Sequence, residues 1–114
     1  ITGDAEDVVF EDFLITIDTQ PADDESATGA AVTFSVAASI TGTGGTLTYQ
    51  WQEDSGSGFA NITEAGVYSD VDTDTLAISD NTGLDTNQYR CVVSAADTGA
   101  ADVTSDAATL TEAA

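Results

Sequence analysis

Positive charge is almost missing from this sequence, in which Arg90 is the single cation and histidine does not occur. Asp and Glu number 21, so the formal net charge is -20. A field of this sign repels the phosphates of nucleic acids and the anionic headgroups of lipids. We therefore expect no nucleic-acid partner and no electrostatic docking onto a membrane.

Self-repulsion between so many carboxylates destabilises a compact chain at low ionic strength. Salt weakens that repulsion, because the screening length falls from about 10 Å at 0.1 M to about 3 Å at 1 M. We interpret the composition as an adaptation to sea water, brine or a cation-rich surface. The alternative is that an acidic surface only keeps the protein in solution.

Cysteine occurs once, at Cys91, so no disulfide can form within the chain. No apolar run approaches the roughly 20 residues of a membrane span, which argues against membrane insertion. The first seven residues include three acidic ones and lack the basic and then apolar pattern of a signal peptide. Since the chain also begins without Met, we expect a processed protein or a fragment.

Helical periodicity is absent, whereas short alternating runs of Val, Thr, Ile and aromatic residues recur between clusters of Gly, Asp, Asn and Ser. About seven strands at spacings near 8–12 residues predict an all-β sandwich or barrel. Strands are expected in or near 14–18, 31–38, 47–52, 75–78, 88–94 and 103–111, and Phe59, Ile62 and Val67 suggest two further short, weak strands. Residues 15–114 form the predicted domain, and a charged loop is expected at 22–26.

Residues 1–14 stand apart as an N-terminal arm in which acidic positions surround Val8, Val9 and Phe10. Two interpretations stay open. The arm closes the sandwich as an extra strand, or it pairs with the sheet edge of a neighbouring subunit.

Three features resemble immunoglobulin domains. Trp51 lies between Gln50 and Gln52 in a central strand, and the stretch from Asp85 to Cys91 is similar to the D-x-G/A-x-Y-x-C motif of that family. Val36, 15 residues before Trp51, stands where the first core cysteine would fall. The resemblance implies an immunoglobulin-like β-sandwich of two antiparallel sheets. It places Trp51 between the sheets against Val36 and Cys91.

The same resemblance assigns Tyr89 to the tyrosine corner, in which the ring fills the edge of the core and the hydroxyl bonds a backbone group. Asn87 departs from the small residue of that motif. More narrowly, the segments 47–52, 88–94 and 104–111 resemble disulfide-free immunoglobulin-like modules of bacterial and phage surface proteins.

Such modules decorate capsids, tails and fibres, or space adhesive tips. The resemblance therefore implies a non-enzymatic structural module of an extracellular assembly, on a virion or a cell surface. Its partners would be proteins, including copies of itself. The alternatives are an adhesion module for a host glycan or receptor and an accessory domain of a secreted protein.

No catalytic constellation is evident. Without histidine, His-based triads and the common His-containing zinc sites are excluded. Cys91 lacks a neighbouring base and is expected inside the core. Paired carboxylates are abundant, but a small sandwich offers no cleft in which a glycosidase could place them. We expect no enzyme and no organic cofactor.

Calcium is the one chemical candidate, because Asp70, Asp72 and Asp74 place oxygen donors at alternate positions. Thr75 occupies the position of the glycine in an EF-hand loop, and no Glu closes the loop. Asp23, Asp24 and Glu25 form a second acidic cluster. The competing interpretation is a set of solvated carboxylates that bind cations diffusely.

Three smaller expectations concern the surface. Arg90 should point outward and meet a carboxylate in a weak ion pair. Asn61 begins a glycosylation sequon that we interpret as a chance occurrence. The aromatic residues left for sugar stacking are Phe10, Phe13, Phe59 and Tyr68, which is few and favours the structural role.

Overall fold

The computed structural model describes residues 13–42, 45–95 and 100–113. Eleven strands lie in these ranges, and none of the described segments is a helix long and apolar enough to cross a membrane. In chain order the strands are β1 (Ile15–Thr19), β2 (Asp24–Ala27), β3 (Val32–Ser35), β4 (Ala37–Ile40), β5 (Thr48–Asp54), β6 (Phe59–Asn61), β7 (Tyr68–Ser69), β8 (Thr75–Ile78), β9 (Gln88–Ser94), β10 (Val103–Thr104) and β11 (Ala108–Ala113).

The strands form two layers. In the first layer β3 pairs with β8, β8 with β7, and β4 with β1. Only Val36 separates β3 from β4, so the β1–β4 pair continues the same layer. The second layer has the strand order β2-β11-β9-β5-β6, with β10 also paired to β9. The all-β sandwich predicted from the sequence is confirmed.

The segment 31–38, predicted as one strand, divides at Val36. Val32 to Ser35 pair with β8, whereas Ala37 to Ile40 pair with β1. The backbone N–H of Val36 still donates to the carbonyl oxygen of Asp74 at 3.0 Å. The chain therefore changes its pairing partner at Val36, while the side chain of Val36 stays buried in the core.

The expectation of purely antiparallel sheets is wrong at one edge, where β2 runs parallel to β11. This strand occupies the position of the predicted charged loop. Its start is anchored because the carboxylate of Asp23 accepts the N–H of Thr109 at 2.8 Å. An acidic edge strand is tolerated because the side chain of Glu25 stays in water.

The core lies between the layers and follows the alternation of the strands. The predicted inward faces are confirmed, since Val32, Phe34, Leu76 and Ile78 are all buried. Across the layers the rings of Phe34 and Tyr89 stack with their centroids 5.1 Å apart.

Residues 1–12 lie outside the described ranges, so the arm stays a prediction for all but Phe13 and Leu14.

Candidate functional site

Trp51 has no exposed surface and lies at the centre of the buried cluster with Val36 and Cys91. Trp51 and Cys91 are direct cross-strand partners on β5 and β9. The indole N–H donates to the carbonyl oxygen of Thr73 at 2.8 Å, so the polar end of the ring is satisfied. Because Thr73 lies in the turn before β8, this bond connects the second layer to the first.

The Cys91 thiol is inert. Its side chain is fully buried, and this burial raises the pKa of the thiol to about 12. At neutral pH the sulfur is therefore protonated and cannot act as a nucleophile. The backbone N–H of Cys91 is held by the Ser105 hydroxyl at 2.9 Å, inside the break between β10 and β11.

A polar cluster of Glu53, Tyr68, Asn87 and Tyr89, which we call the Glu53 cluster, joins the two layers. One carboxylate oxygen of Glu53 accepts the hydroxyls of Tyr68 and Tyr89 and the amide of Asn87, the last at 2.9 Å. The two tyrosine hydroxyls are themselves 2.9 Å apart. Glu53 and Tyr89 belong to β5 and β9, whereas Tyr68 reaches them from β7.

The hydroxyl of Tyr89 thus bonds the side chains of Tyr68 and Glu53. The sequence predicted a bond to a backbone group, and among the described residues that prediction is wrong. Asn87 explains the difference, because its amide donates to the same Glu53 oxygen that accepts the hydrogen bond of the Tyr89 hydroxyl. Burial raises the pKa of Tyr68, with the Glu53 hydrogen bond as the second cause. It also raises the pKa of Tyr89 to about 12. Both phenols stay protonated and serve as donors.

Sequence reasoning missed Tyr68, which it left among the exposed aromatic residues. The structure places it half-buried in the Glu53 cluster. Its strand, β7, has only two residues, which is too short to show the alternation of apolar and polar residues that marks a strand. The one available signal was Asn87, the polar departure from the tyrosine-corner motif.

Asn81 is a second residue that the sequence did not reveal. It is fully buried, and its side chain accepts the N–H of Gly29 at 2.7 Å. Its amide donates to the hydroxyl of Ser26 and the carbonyl of Ala27. Asn81 therefore fixes the turn after β2 to the loop after β8. An Asn in a polar loop carries no sequence signal that distinguishes this role from an exposed one.

The calcium candidates do not converge. Asp70, Asp72 and Asp74 lie in and around a turn, in which Asp70 is exposed and has a φ of 58°. The carbonyl of Asp70 accepts both the N–H and the hydroxyl of Thr73. Within residues 13–42, 45–95 and 100–113, no group of three or more acidic or cysteine side chains is close enough to hold a metal ion. The alternation of the sequence is lost because the backbone turns.

The second acidic cluster is also dispersed. Asp23 bonds the backbone of Thr109, Glu25 is exposed, and Asp24 leaves one buried carboxylate oxygen without a partner among the described residues. These three side chains mark the edge strand β2. They do not form a cation cage with other acidic groups of the described ranges.

Arg90 points outward from β9, but its partners are not carboxylates. Its Nε–H donates to the side-chain oxygen of Gln52 at 2.8 Å, and its guanidinium lies 4.0 Å from the centre of the Phe59 ring. The expected ion pair is replaced by an amide and a cation–π contact. Asn61, the sequon residue, is exposed and accepts a bond from Gln52 at 2.9 Å.

These side chains belong to one surface, formed by the outward positions of β5, β6 and β9. We call it the Arg90 face and define it by Gln52, Asp54, Phe59, Asn61, Gln88 and Arg90. Other outward positions on these strands add no charge. The described part of the protein has no concave pocket, on this face or elsewhere. A pocket-free surface of zero net charge with an arginine and an aromatic ring suits protein contacts better than small ligands.

The sequence matches no protein-family model and no curated protein. Solved structures with a similar architecture include immunoglobulin domains of titin. A three-domain I-band fragment aligns with a TM-score of 0.65 and 23% identity, over 86% of this chain and 32% of the fragment. The chain therefore spans about a third of that fragment.

Two further neighbours are similar in extent to this chain. The titin M3 domain aligns with a TM-score of 0.59 and 20% identity, over 93% of this chain and 100% of its own. A chain in the complex of titin M10 with the obscurin-like 1 immunoglobulin domain aligns with a TM-score of 0.61 and 14% identity, over 87% and 93%. These likenesses show an immunoglobulin-like fold.

Proposed function

We propose that this chain is a non-enzymatic structural module of an extracellular surface assembly, held by protein contacts. One observation carries the proposal. The polar side chains inside this immunoglobulin-like sandwich, Glu53, Tyr68, Tyr89 and Asn81, bond one another, neighbouring side chains or the backbone, and the described surface has no pocket. Such an interior stabilises a domain, and its four named side chains are engaged in holding the fold together.

The proposed location is the surface of a phage virion, as a decoration, tail or fibre component, or the surface of a cell. The segments 47–52, 88–94 and 104–111 support it by their resemblance to modules of such particles. The net charge of -20 supports an environment rich in salt or cations. A domain of this type would be stable there without a disulfide.

Immunogold labelling tests the location. An antibody raised against residues 15–114 would be applied to purified virions and to intact and permeabilised cells of the source organism. We expect regularly spaced label on the outside of particles or intact cells. Label that needs permeabilisation would overturn the extracellular role. A pre-immune serum and antibody absorbed with the domain provide the controls.

A protein partner is favoured over a glycan. Sugar binding relies on exposed aromatic platforms, yet Tyr68 is bonded within the Glu53 cluster and one side of the Phe59 ring is covered by Arg90. A neighbouring structure is itself a complex between two immunoglobulin domains. We expect no binding on a glycan array. Saturable binding that depends on Phe59 would support adhesion instead.

A further inference from the structure

Arg90, the single basic side chain, forms no ion pair with a carboxylate of the described residues, although acidic side chains number 21 in the sequence. Arg90 bonds Gln52 through Nε and stacks on Phe59. No further partner of its guanidinium lies within the described residues. An arginine is always charged at neutral pH and its planar fork favours carboxylates. The fold therefore presents a fixed donor group that nothing in the described part of the chain neutralises.

Asp54 is the one acidic residue of the Arg90 face. One of its oxygens accepts the N–H groups of Gly56 and Gly58, at 2.7 and 3.1 Å, and thereby fixes the turn after β5. Its second oxygen has no bond within the described residues. Gln52 pairs with Arg90 and Asp54 pairs with Gln88, so Arg90 and Asp54 are diagonal neighbours on adjacent strands. Such positions are roughly 7–8 Å apart.

The Arg90 face thus has a formal charge of zero on a chain of charge -20. Two copies of the chain repel one another most when they approach through acidic loops, and least through a face that adds no net charge of its own. A twofold axis that lies between the two facing surfaces, parallel to them and perpendicular to the line from Arg90 to Asp54 at its midpoint, would set each Arg90 opposite the Asp54 of the other copy. Twofold contacts are self-complementary in this way.

The opposite side of the sandwich lacks these features. The outward positions of β3 and β8 carry no charge and no long side chain; they are Thr33, Ser35, Thr75 and Ala77. Interfaces are enriched in arginine and aromatic residues, and energetic hot spots favour arginine. Both faces are neutral, so neutrality alone does not distinguish them. The Arg90 face differs because it carries the opposite charges of Arg90 and Asp54 and several side-chain amides.

We propose that the Arg90 face is a self-association surface, on which a second copy of this chain docks through two symmetric Arg90–Asp54 pairs. The face is on the order of 24 Å long and 14 Å wide, from strands of seven residues and three strands across. That is below the roughly 800 Å² per partner of stable complexes. The contact is therefore weak, and it matters where copies are held close together.

The inference rests on the proposed role in a multi-copy assembly, yet it is tested separately. Sedimentation velocity of the purified chain would be measured up to about millimolar concentration, in about 0.1 M and 1 M NaCl. We expect the average mass to rise with concentration towards that of a dimer, and more strongly at high salt. A monomer under all conditions overturns the inference, while surface label on particles would still support the proposed role.

Variants locate the contact. Arg90→Glu should weaken association at least tenfold, because it sets two carboxylates against each other. The double variant Thr33→Glu/Ser35→Glu is the matched control, since it changes the net charge by the same two units on the other layer. Association equal to wild type is expected for that control. If both variants weakened association equally, the cause would be general charge repulsion, and the assignment of the contact to the Arg90 face would be overturned.

Mixing supplies the sharpest test. Arg90→Glu and Asp54→Lys should each fail to associate alone. Together they should form a mixed dimer, because one original Arg90–Asp54 pair is kept and the two substituted side chains form the second pair with their charges exchanged. If Asp54→Lys does not fold, Asp54→Asn retains the turn bonds and should weaken association about tenfold. Association unaffected by Arg90→Glu, or no recovery in the mixture of folded variants, would contradict the symmetric pairing.

Discussion

The two layers of the sandwich differ on both of their faces. The first layer sends mainly aliphatic side chains into the core, such as Val32 and Leu76, and shows small residues to solvent. The second layer supplies Trp51, Tyr89 and the carboxylate of Glu53 inside, and amide groups with one arginine outside. The first layer acts as an apolar support, and the second concentrates hydrogen-bonding groups.

This division suggests that specificity, inside and outside, lies in the second layer. Aliphatic packing tolerates substitution if volume is kept, whereas a buried polar group without its partner is costly. Five changes test this contrast, from the largest expected effect to the smallest.

Trp51→Ala should be the most damaging change. It removes the largest buried side chain and the donor to Thr73, and we expect a loss of about 3–5 kcal/mol in the free energy of unfolding. Urea unfolding followed by circular dichroism measures it. Trp51→Phe should cost less because most of the apolar contact remains. A loss below about 1 kcal/mol for Trp51→Ala would place the centre of the core elsewhere.

Glu53→Ala should cost about 2–3 kcal/mol, because it leaves two phenols and the Asn87 amide without their shared acceptor. Glu25→Ala, on the exposed edge strand, is the control and should stay within about 0.5 kcal/mol. Thermal unfolding of both variants provides the comparison. Equal effects would mean that the Glu53 cluster does not connect the layers.

Alkaline pH should unfold the protein by ionising buried groups, most of which lie in the second layer. Folding raises the pKa of Cys91 from 9.0 to about 12 and that of Tyr89 from 10.0 to about 12, so the folded state binds more protons in between. Stability is complete below about pH 9 and falls above it, by about 1.4 kcal/mol per pH unit for each group. Cys91→Ala should move the onset up to about pH 10. An unchanged onset in that variant would show that ionisation of the Cys91 thiol does not start the alkaline unfolding.

Salt should stabilise the folded protein by screening charges on its surface, without a change in the packing of the core. Raising NaCl from about 0.1 M to 1 M should increase the free energy of unfolding by roughly 1 kcal/mol, since repulsion between carboxylates is screened. Chemical unfolding with urea, which is uncharged, measures this at each salt concentration. Stability that is constant or falls with salt would refute the interpretation of the acidic composition.

The smallest effects should separate the two outer faces. Arg90→Ala removes a hydrogen bond and a cation–π contact, and we expect a loss of about 0.5–1 kcal/mol. Thr33→Ala on the first layer should change stability by less than about 0.5 kcal/mol. Parallel thermal scans at low concentration, where association is absent, give both values. A larger loss for Thr33→Ala would reverse the contrast.

Much of the fold could be predicted because alternation reports directly on burial. Val32, Phe34, Tyr89 and Cys91 face inward, as their period of two required. The division of the strand at Val36 and the parallel strand β2 could not be predicted. Both depend on which backbone edge is available as a partner, and that information lies in distant segments.

The candidate site was less predictable than the core. Cys91 and Trp51 were found from the motif, whereas Tyr68 and Asn81 gave no local signal. The alternate aspartates Asp70, Asp72 and Asp74 suggested a cation site, but they lie in and around a turn, and no three acidic side chains of the described residues form a metal-binding group. A polar side chain becomes structural only through partners that folding brings to it.

Composition and periodicity alone set the all-β class, the inward faces and the electrostatic character of this protein, because each is a sum or a local repeat along the chain. Tertiary structure decided that Glu53 receives three donors from two strands and an adjoining loop, and that the one cation lies beside Gln52 on a face of zero net charge. Those outcomes need groups far apart in sequence to meet at hydrogen-bond distance. No local pattern of residues records such a meeting.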